Sequence, residues 1–337
     1  MSKKFTTLAM MLALVLVFLA GCGSNNSNSG SGGNASESAS PSPSASPSAS
    51  ESPSASPSES PTGYVPTTLT VQFVPSQNAD TLEAKAKPLE KLLSDQLGIE
   101  VKVSVSTDYN TIIEAMASKQ VDVGFLPPTA YVLAKEKGAA EVILQAQRYG
   151  IDDATGAETT ELVNGYKSMI IVKKDSPIQS VADLKGKKIA YQNVTSSAGY
   201  VWPAAALMDA GLDPLNDVEP ITVKGHDQGV IAVLNGDVDA AAIFQDARNT
   251  VKNDYPTVFE DTRVLTFTEF IPNDTISVRS DMDPAFIEKL KAAFIAIGKD
   301  PEGGQIIFDI YSHRGYVESE DSIFDIVREY NEKVKTE

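Results

Sequence analysis

Apolar positions fall into three regimes along the chain. From Leu8 to Ala20 they are almost continuous, behind a short positive stretch at Lys3 and Lys4. From Gly23 to about Pro66 they nearly vanish. Beyond Thr67 they return with two periods that take turns. Period-two or short apolar stretches predict strands at Leu69–Val74, Glu100–Val105, Val121–Leu126, Met169–Val172, Lys188–Tyr191, Asp239–Phe244 and Thr275–Val278. Helical spacing predicts helices at Thr81–Leu97, Tyr109–Ser118, Ala204–Ala210, Gly229–Leu234, Pro284–Ile297 and Ser322–Val334. Strands interleaved with helices predict an α/β architecture.

The first regime is about 13 residues long, and a membrane-spanning helix needs roughly 20. With its lysines in front it reads as a secretory signal. It ends Leu19-Ala20-Gly21-Cys22, which resembles the lipobox of bacterial lipoproteins. That resemblance implies cleavage after residue 21 and a lipidated Cys22, with palmitate among its acyl chains, as a membrane anchor on the extracytoplasmic face. Cys22 is the only cysteine, so an intramolecular disulfide and a cysteine-based metal site are excluded. The second regime, 22–66, repeats Ser, Pro, Ala and Glu. It offers too little apolar surface to offset the entropy of ordering and reads as an extended tether.

The body from Thr67 has roughly 270 residues, enough for one large domain or two ordinary ones. Across 337 residues, 45 acidic side chains outnumber 28 basic ones and leave a formal charge of −17. With no basic stripe, a nucleic-acid partner is excluded. No nucleophile elbow, Walker A loop, His-Glu-x-x-His pair or dinucleotide glycine fingerprint is present, so neither enzyme activity nor a cofactor is expected.

Thr195, Ser196 and Ser197, followed by Gly199 and an alanine-rich segment, predict a helix start with hydroxyls at its cap. Such an end is either a plain N-cap or an anion site, since its free N–H groups and dipole favour negative charge. His226, one of two histidines, opens a predicted helix.

Several segments in order resemble the PhnD-like family of phosphate, phosphite and phosphonate binding proteins. They are Phe73–Ser76, Asp108-Tyr109, Met116–Phe125, Pro127–Tyr131, Tyr166–Pro177, Asp183–Lys187, Thr195–Tyr200, Gly225–Asp227, Gly236–Ala240 and Asp246. The resemblance implies a type II periplasmic-binding-protein fold, with two α/β lobes, a hinge and an interlobe ligand cleft. On it, lobe 1 takes 67–167 and 272–337, and lobe 2 takes 168–271. It implies that Ser196 and Ser197 donate to a phosphorus oxyanion. The family's third hydroxyl falls on Ala198, and Thr195 stands one step earlier. His226 donates to a phosphoryl oxygen, and Asp246 accepts from a protonated oxyanion or a ligand amine. Tyr109 and Tyr166 are the binding tyrosines, Tyr131 is a further candidate, and Gln77 falls at the cleft rim. Trp202 reads as core. The implied partners are an ABC permease and ATPase complex, and the implied state is a monomer. A sulfonate or vitamin-precursor binder on the same fold, a sensor module and a hydrolytic enzyme are the competing readings.

Overall fold

The computed structural model describes residues 62–335; the signal segment, Cys22 and the tether up to residue 61 lie outside the described residues. The chain first forms β1 (Thr68–Phe73), α1 (Ala79–Ala86), α2 (Leu89–Leu97), β2 (Glu100–Val105), α3 (Tyr109–Ala117), β3 (Val123–Leu126), α4 (Pro128–Glu136), β4 (Ala140–Ile151) and β5 (Glu158–Val163). It continues with β6 (Gly165–Lys173), β7 (Lys188–Tyr191), α5 (Trp202–Asp209), β8 (Glu219–Thr222), α6 (His226–Asn235), β9 (Ala240–Phe244), α7 (Val258–Asp261) and β10 (Thr262–Pro272). It ends with β11 (Thr275–Arg279), α8 (Pro284–Lys299), α9 (Pro301–Tyr311), β12 (Gly315–Glu318) and α10 (Asp325–Val334).

The strands form two separate sheets, of seven and five strands. The first has the order β12-β4-β11-β3-β1-β2, with β5 paired to β4. Its β2, β1 and β3 run parallel, and β11, β4 and β12 add antiparallel. The second has the order β10-β6-β9-β7-β8, with β8, β7 and β9 parallel. The parallel strands β3 and β9 are buried along nearly their whole length, as helices on both faces require. The first core holds stacked Phe73 and Phe125, centroids 4.1 Å apart, with Phe294 edge-on at 5.7 Å.

The chain changes sheets at Asn164 and again at Asn273-Asp274. These two segments are tied to each other. Asn273 N–H donates to Asn164 O at 2.9 Å, and Asn273 Nδ2 to Val163 O at 3.0 Å. Gln145 Nε2 donates to Asn164 O at 3.3 Å, beside both crossings. Gly165 is obligatory here, because a Cβ would stand 2.5 Å from Phe270 and 2.7 Å from Ile271 O.

The single helix expected over Thr81–Leu97 is two helices. Pro88 supplies no N–H and its ring opposes a continued turn, so α1 stops at Ala86 and α2 starts at Leu89. The tether expected to reach Pro66 also ends sooner. Tyr64 lies under Arg279, 3.8 Å from the guanidinium carbon, and Thr62 N–H donates to Asp283 at 2.9 Å. Trp202 is fully buried and stacks on Tyr330 of α10, centroids 4.3 Å apart. Thus α10 reaches α5, and it also packs on α4.

Candidate functional site

The carboxyl ends of the parallel strands in both sheets converge on one cavity of about 50 Å³. Such ends collect loops and the amino ends of helices, the usual ligand site of open α/β sheets. The first sheet contributes Ser76 and Gln77 after β1, Tyr109 after β2 and Pro127 after β3. The second contributes Ser196 and Ala198 after β7, His226 after β8 and Phe244 at the end of β9. Arg148 of β4, Tyr166 of β6, Asp274 at the second crossing and Tyr311 of α9 complete the wall.

Of the residues singled out in the sequence, Gln77, Tyr109, Tyr166, Ser196 and His226 line this cavity. Ser197, Thr195, Tyr131 and Asp246 do not. Ser197 is fully buried, and its hydroxyl faces the start of α4. It accepts Thr129 N–H at 3.0 Å and donates to Thr129 Oγ1 at 3.0 Å, which uses its one donor on protein. Thr195 donates to Asn193 Oδ1 at 2.7 Å, closing a local turn. Tyr131 donates to Asp321 at 2.6 Å and packs on Phe324. Asp246 is held by its neighbour Arg248 through two bonds, Nε to Oδ1 at 2.8 Å and Nη2 to Oδ2 at 2.6 Å. Gly156, at the tip of the β4–β5 hairpin, also lies against it. Both carboxylate oxygens are thereby engaged by Arg248, and the carboxylate that lines the cavity is Asp274.

Arg148, Asp274, Tyr311 and Ser76 line the cavity without having been read as site residues. Asp274 is half-buried at the cavity wall, and burial opposes its ionisation. Donation from His313 at 3.4 Å and the Arg148 charge at 3.2 Å outweigh that and hold its carboxyl below the usual range. Its position two residues after Pro272, where the chain changes sheets, was a usable signal. Arg148 gave none, because its strand alternates irregularly.

His226 is neutral. Burial in the cleft pushes its pKa down to about 3, against a weaker pull from Asp274. Phe244 N–H donates to its Nδ1 at 3.2 Å, so the ring proton sits on Nε2 and serves as a donor. Burial likewise raises the Tyr109 and Tyr166 phenols, which stay protonated. Tyr109 Oη and Ser196 Oγ both donate to Gln192 Oε1 at 3.1 Å. Ser196 Oγ also accepts Gly199 N–H at 3.1 Å, capping the π-helical turn Ser197–Val201 ahead of α5. Asn193 Nδ2 donates to Asp108 at 3.0 Å, and His226 N–H to Ser76 O at 3.0 Å. Hydrogen bonds therefore stitch the loops of one sheet to those of the other across the cavity mouth. Among the described residues, no cluster of three or more His, Cys, Asp or Glu could hold a metal ion, and no helix is long and apolar enough to cross a membrane.

Two sheets joined by two adjacent crossings, with a polar cavity between their strand ends, define a type II periplasmic binding protein. Residues 71–324 match the family described as "ABC transporter, phosphonate, periplasmic substrate-binding protein". The chain belongs to that family. It is 29% identical over 245 residues to a phosphate-import protein PhnD of Mycolicibacterium smegmatis, a match covering 68% of this chain and 71% of the relative. A crystal structure of a binding-protein component of an ABC phosphonate transporter from Pseudomonas aeruginosa superposes with a TM-score of 0.68 at 23% identity, covering 78% of this chain and 85% of that one. PhnD1 of Prochlorococcus marinus, solved with methylphosphonate, superposes with a TM-score of 0.67 at 20% identity, covering 80% and 98%.

Proposed function

We propose that the chain is the lipid-anchored capture component of an ABC importer and that it takes up a phosphorus oxyanion between its two sheets. The observation that carries this reading is the cavity itself. Neutral donors from His226 Nε2 and Tyr166 converge there with the Arg148 guanidinium and the Asp274 carboxylate, beside the Tyr109 and Ser196 hydroxyls that donate to Gln192 Oε1, in a space of about 50 Å³. A water needs roughly 10–15 Å³ of such space. The cavity therefore suits a compact tetrahedral ion of four or five heavy atoms. Donors bind its oxygens, and the carboxylate accepts from a protonated oxygen. The names of the relatives, which import or bind phosphate and phosphonate, point the same way.

In this reading lobe 1 comprises 67–167 and 272–337, lobe 2 comprises 168–271, and the crossings at Asn164 and Asn273 form the hinge. Ligand shifts an open–closed equilibrium towards the closed form, which docks on the permease. The lipobox Leu19–Cys22 supports lipidation of Cys22 and retention at the extracytoplasmic face. Titration calorimetry of the full chain, solubilised in detergent and stripped of ligand, tests the oxyanion claim with phosphate, phosphite, methylphosphonate and an alkyl sulfonate. Binding of the sulfonate alone would refute it.

A further inference from the structure

Arg148 is the one guanidinium in the cavity wall, and its bonding is incomplete. A guanidinium carries five N–H donors. Among the described residues its only hydrogen bond runs from Nη2 to Asp274 Oδ2 at 3.2 Å, and its Nε is buried with no partner. The side chain is held in place by stacking, its central carbon 4.7 Å from the centre of the Tyr166 ring. Leaving a buried charged donor unpaired is costly, so the group suits a ligand that completes it.

Arg148 also stands at a boundary. Together with Tyr166 it lines a second, outer cavity of about 440 Å³, where Asp152, Asp153, Glu161 and Lys167 gather. A substituent growing outward from the inner cavity meets the Arg148–Tyr166 stack. An ammonium group that the outer carboxylates would attract meets a fixed positive charge first.

We propose that Arg148 sets the ligand class of the inner cavity: it selects an unsubstituted, doubly charged tetrahedral oxyanion that still bears one proton, and it rejects phosphonates carrying an ammonium group. This rests on the oxyanion reading above. Such an ion matches the wall group by group. Its hydroxyl keeps its proton and donates a hydrogen bond to the Asp274 carboxylate, its charged oxygens face Arg148 and the His226 Nε2–H, and nothing protrudes towards the stack. Asp274, already paired with Arg148 and His313, has no charge left over for an ammonium.

Competition calorimetry with inorganic phosphate and 2-aminoethylphosphonate on the full chain tests this. The wild type binds phosphate at least about tenfold tighter. In Arg148→Leu the phosphate affinity falls about a hundredfold and the aminoethylphosphonate affinity holds or rises, so the order inverts. Arg148→Lys keeps the charge and keeps the order, and it preserves the test should the leucine variant not fold. A wild type that prefers aminoethylphosphonate, or an Arg148→Leu variant that weakens both ligands equally, overturns the assignment of Arg148 alone. A wild type that binds neither phosphate, phosphite nor any phosphonate overturns the oxyanion reading and this inference with it.

Discussion

Two buried aspartate–arginine pairs lie near the cleft, and they are built differently. Asp246 and Arg248 are two residues apart and meet through two short bonds, at 2.8 and 2.6 Å, with Arg248 also stacked on Phe259. Nη1 of Arg248 reaches Thr262 at 3.4 Å. Asp274 and Arg148 are 126 residues apart and meet through one bond at 3.2 Å, leaving Nε of the arginine buried and bare. The first pair is closed on itself and fixes the loop after β9. The second joins β4 to a chain crossing and faces the cavity. A buried ion pair with every group satisfied holds structure, and one with donors left over is positioned to bind.

Breaking the closed pair should give the largest effect on stability. Asp246→Asn strands the Arg248 charge in the interior, and such a loss costs about 3–5 kcal/mol. Urea unfolding reads that cost, and phosphate affinity stays within about twofold of the wild type. An affinity collapse with unchanged stability would show instead that Asp246 serves the ligand.

Acid should weaken the fold through the cleft histidine. His226 has its pKa near 3 in the fold against an ordinary 6.5, so the unfolded chain binds the extra proton between those values. Stability therefore falls as pH drops through 6.5, by about 2 kcal/mol between pH 7 and pH 5. His313, also lowered by burial, adds in the same direction. Asp274, depressed below its ordinary 3.8, withdraws its contribution only at more acid pH. In His226→Gln the loss above pH 5 shrinks, and urea midpoints measured across pH detect this. His226→Ala, which removes the donor, weakens phosphate about 10–100-fold by calorimetry.

Asp274→Asn sharpens the comparison from the open side. An ionised carboxylate in the wall repels sulfate, which has no proton to donate at neutral pH. The amide relaxes the preference for phosphate over sulfate by about tenfold, and competition binding measures the ratio. The smallest effect belongs to Ser197→Ala. Its hydroxyl is spent on Thr129, so stability falls by about 1 kcal/mol and phosphate affinity changes less than about threefold.

What the sequence made legible follows the same division between local and distant. β2 and β7 were read at their observed ends and α3 to within a residue, because each carries one clear period. β5 was not, since Glu158–Val163 is exposed almost throughout and shows no apolar alternation. β4 and β10 escaped because bulges interrupt their pairing at Ile276/Ser277 and Val264/Thr266. Tyr109 and Tyr166 were read only through the family resemblance, whereas Ser196 and His226 also cap or open a helix directly after a strand, and all four line the cavity. Ser197 was misplaced for a related reason, since adjacent hydroxyls at a helix start face different neighbours. The Arg148–Asp274 pair was not legible as a pair, since the place of Asp274 after Pro272 was a signal but Arg148 gave none, and only the folded crossings bring the two together.

The central claim is that the cavity between the two sheets binds a phosphorus oxyanion. A calorimetric titration of the stripped full chain with phosphate, phosphite, methylphosphonate and 2-aminoethylphosphonate, repeated on His226→Ala and Asp246→Asn, tests it most directly. The account predicts saturable one-to-one binding of phosphate, lost or greatly weakened in His226→Ala and retained in Asp246→Asn. Binding that survives in His226→Ala and disappears in a folded Asp246→Asn would contradict it.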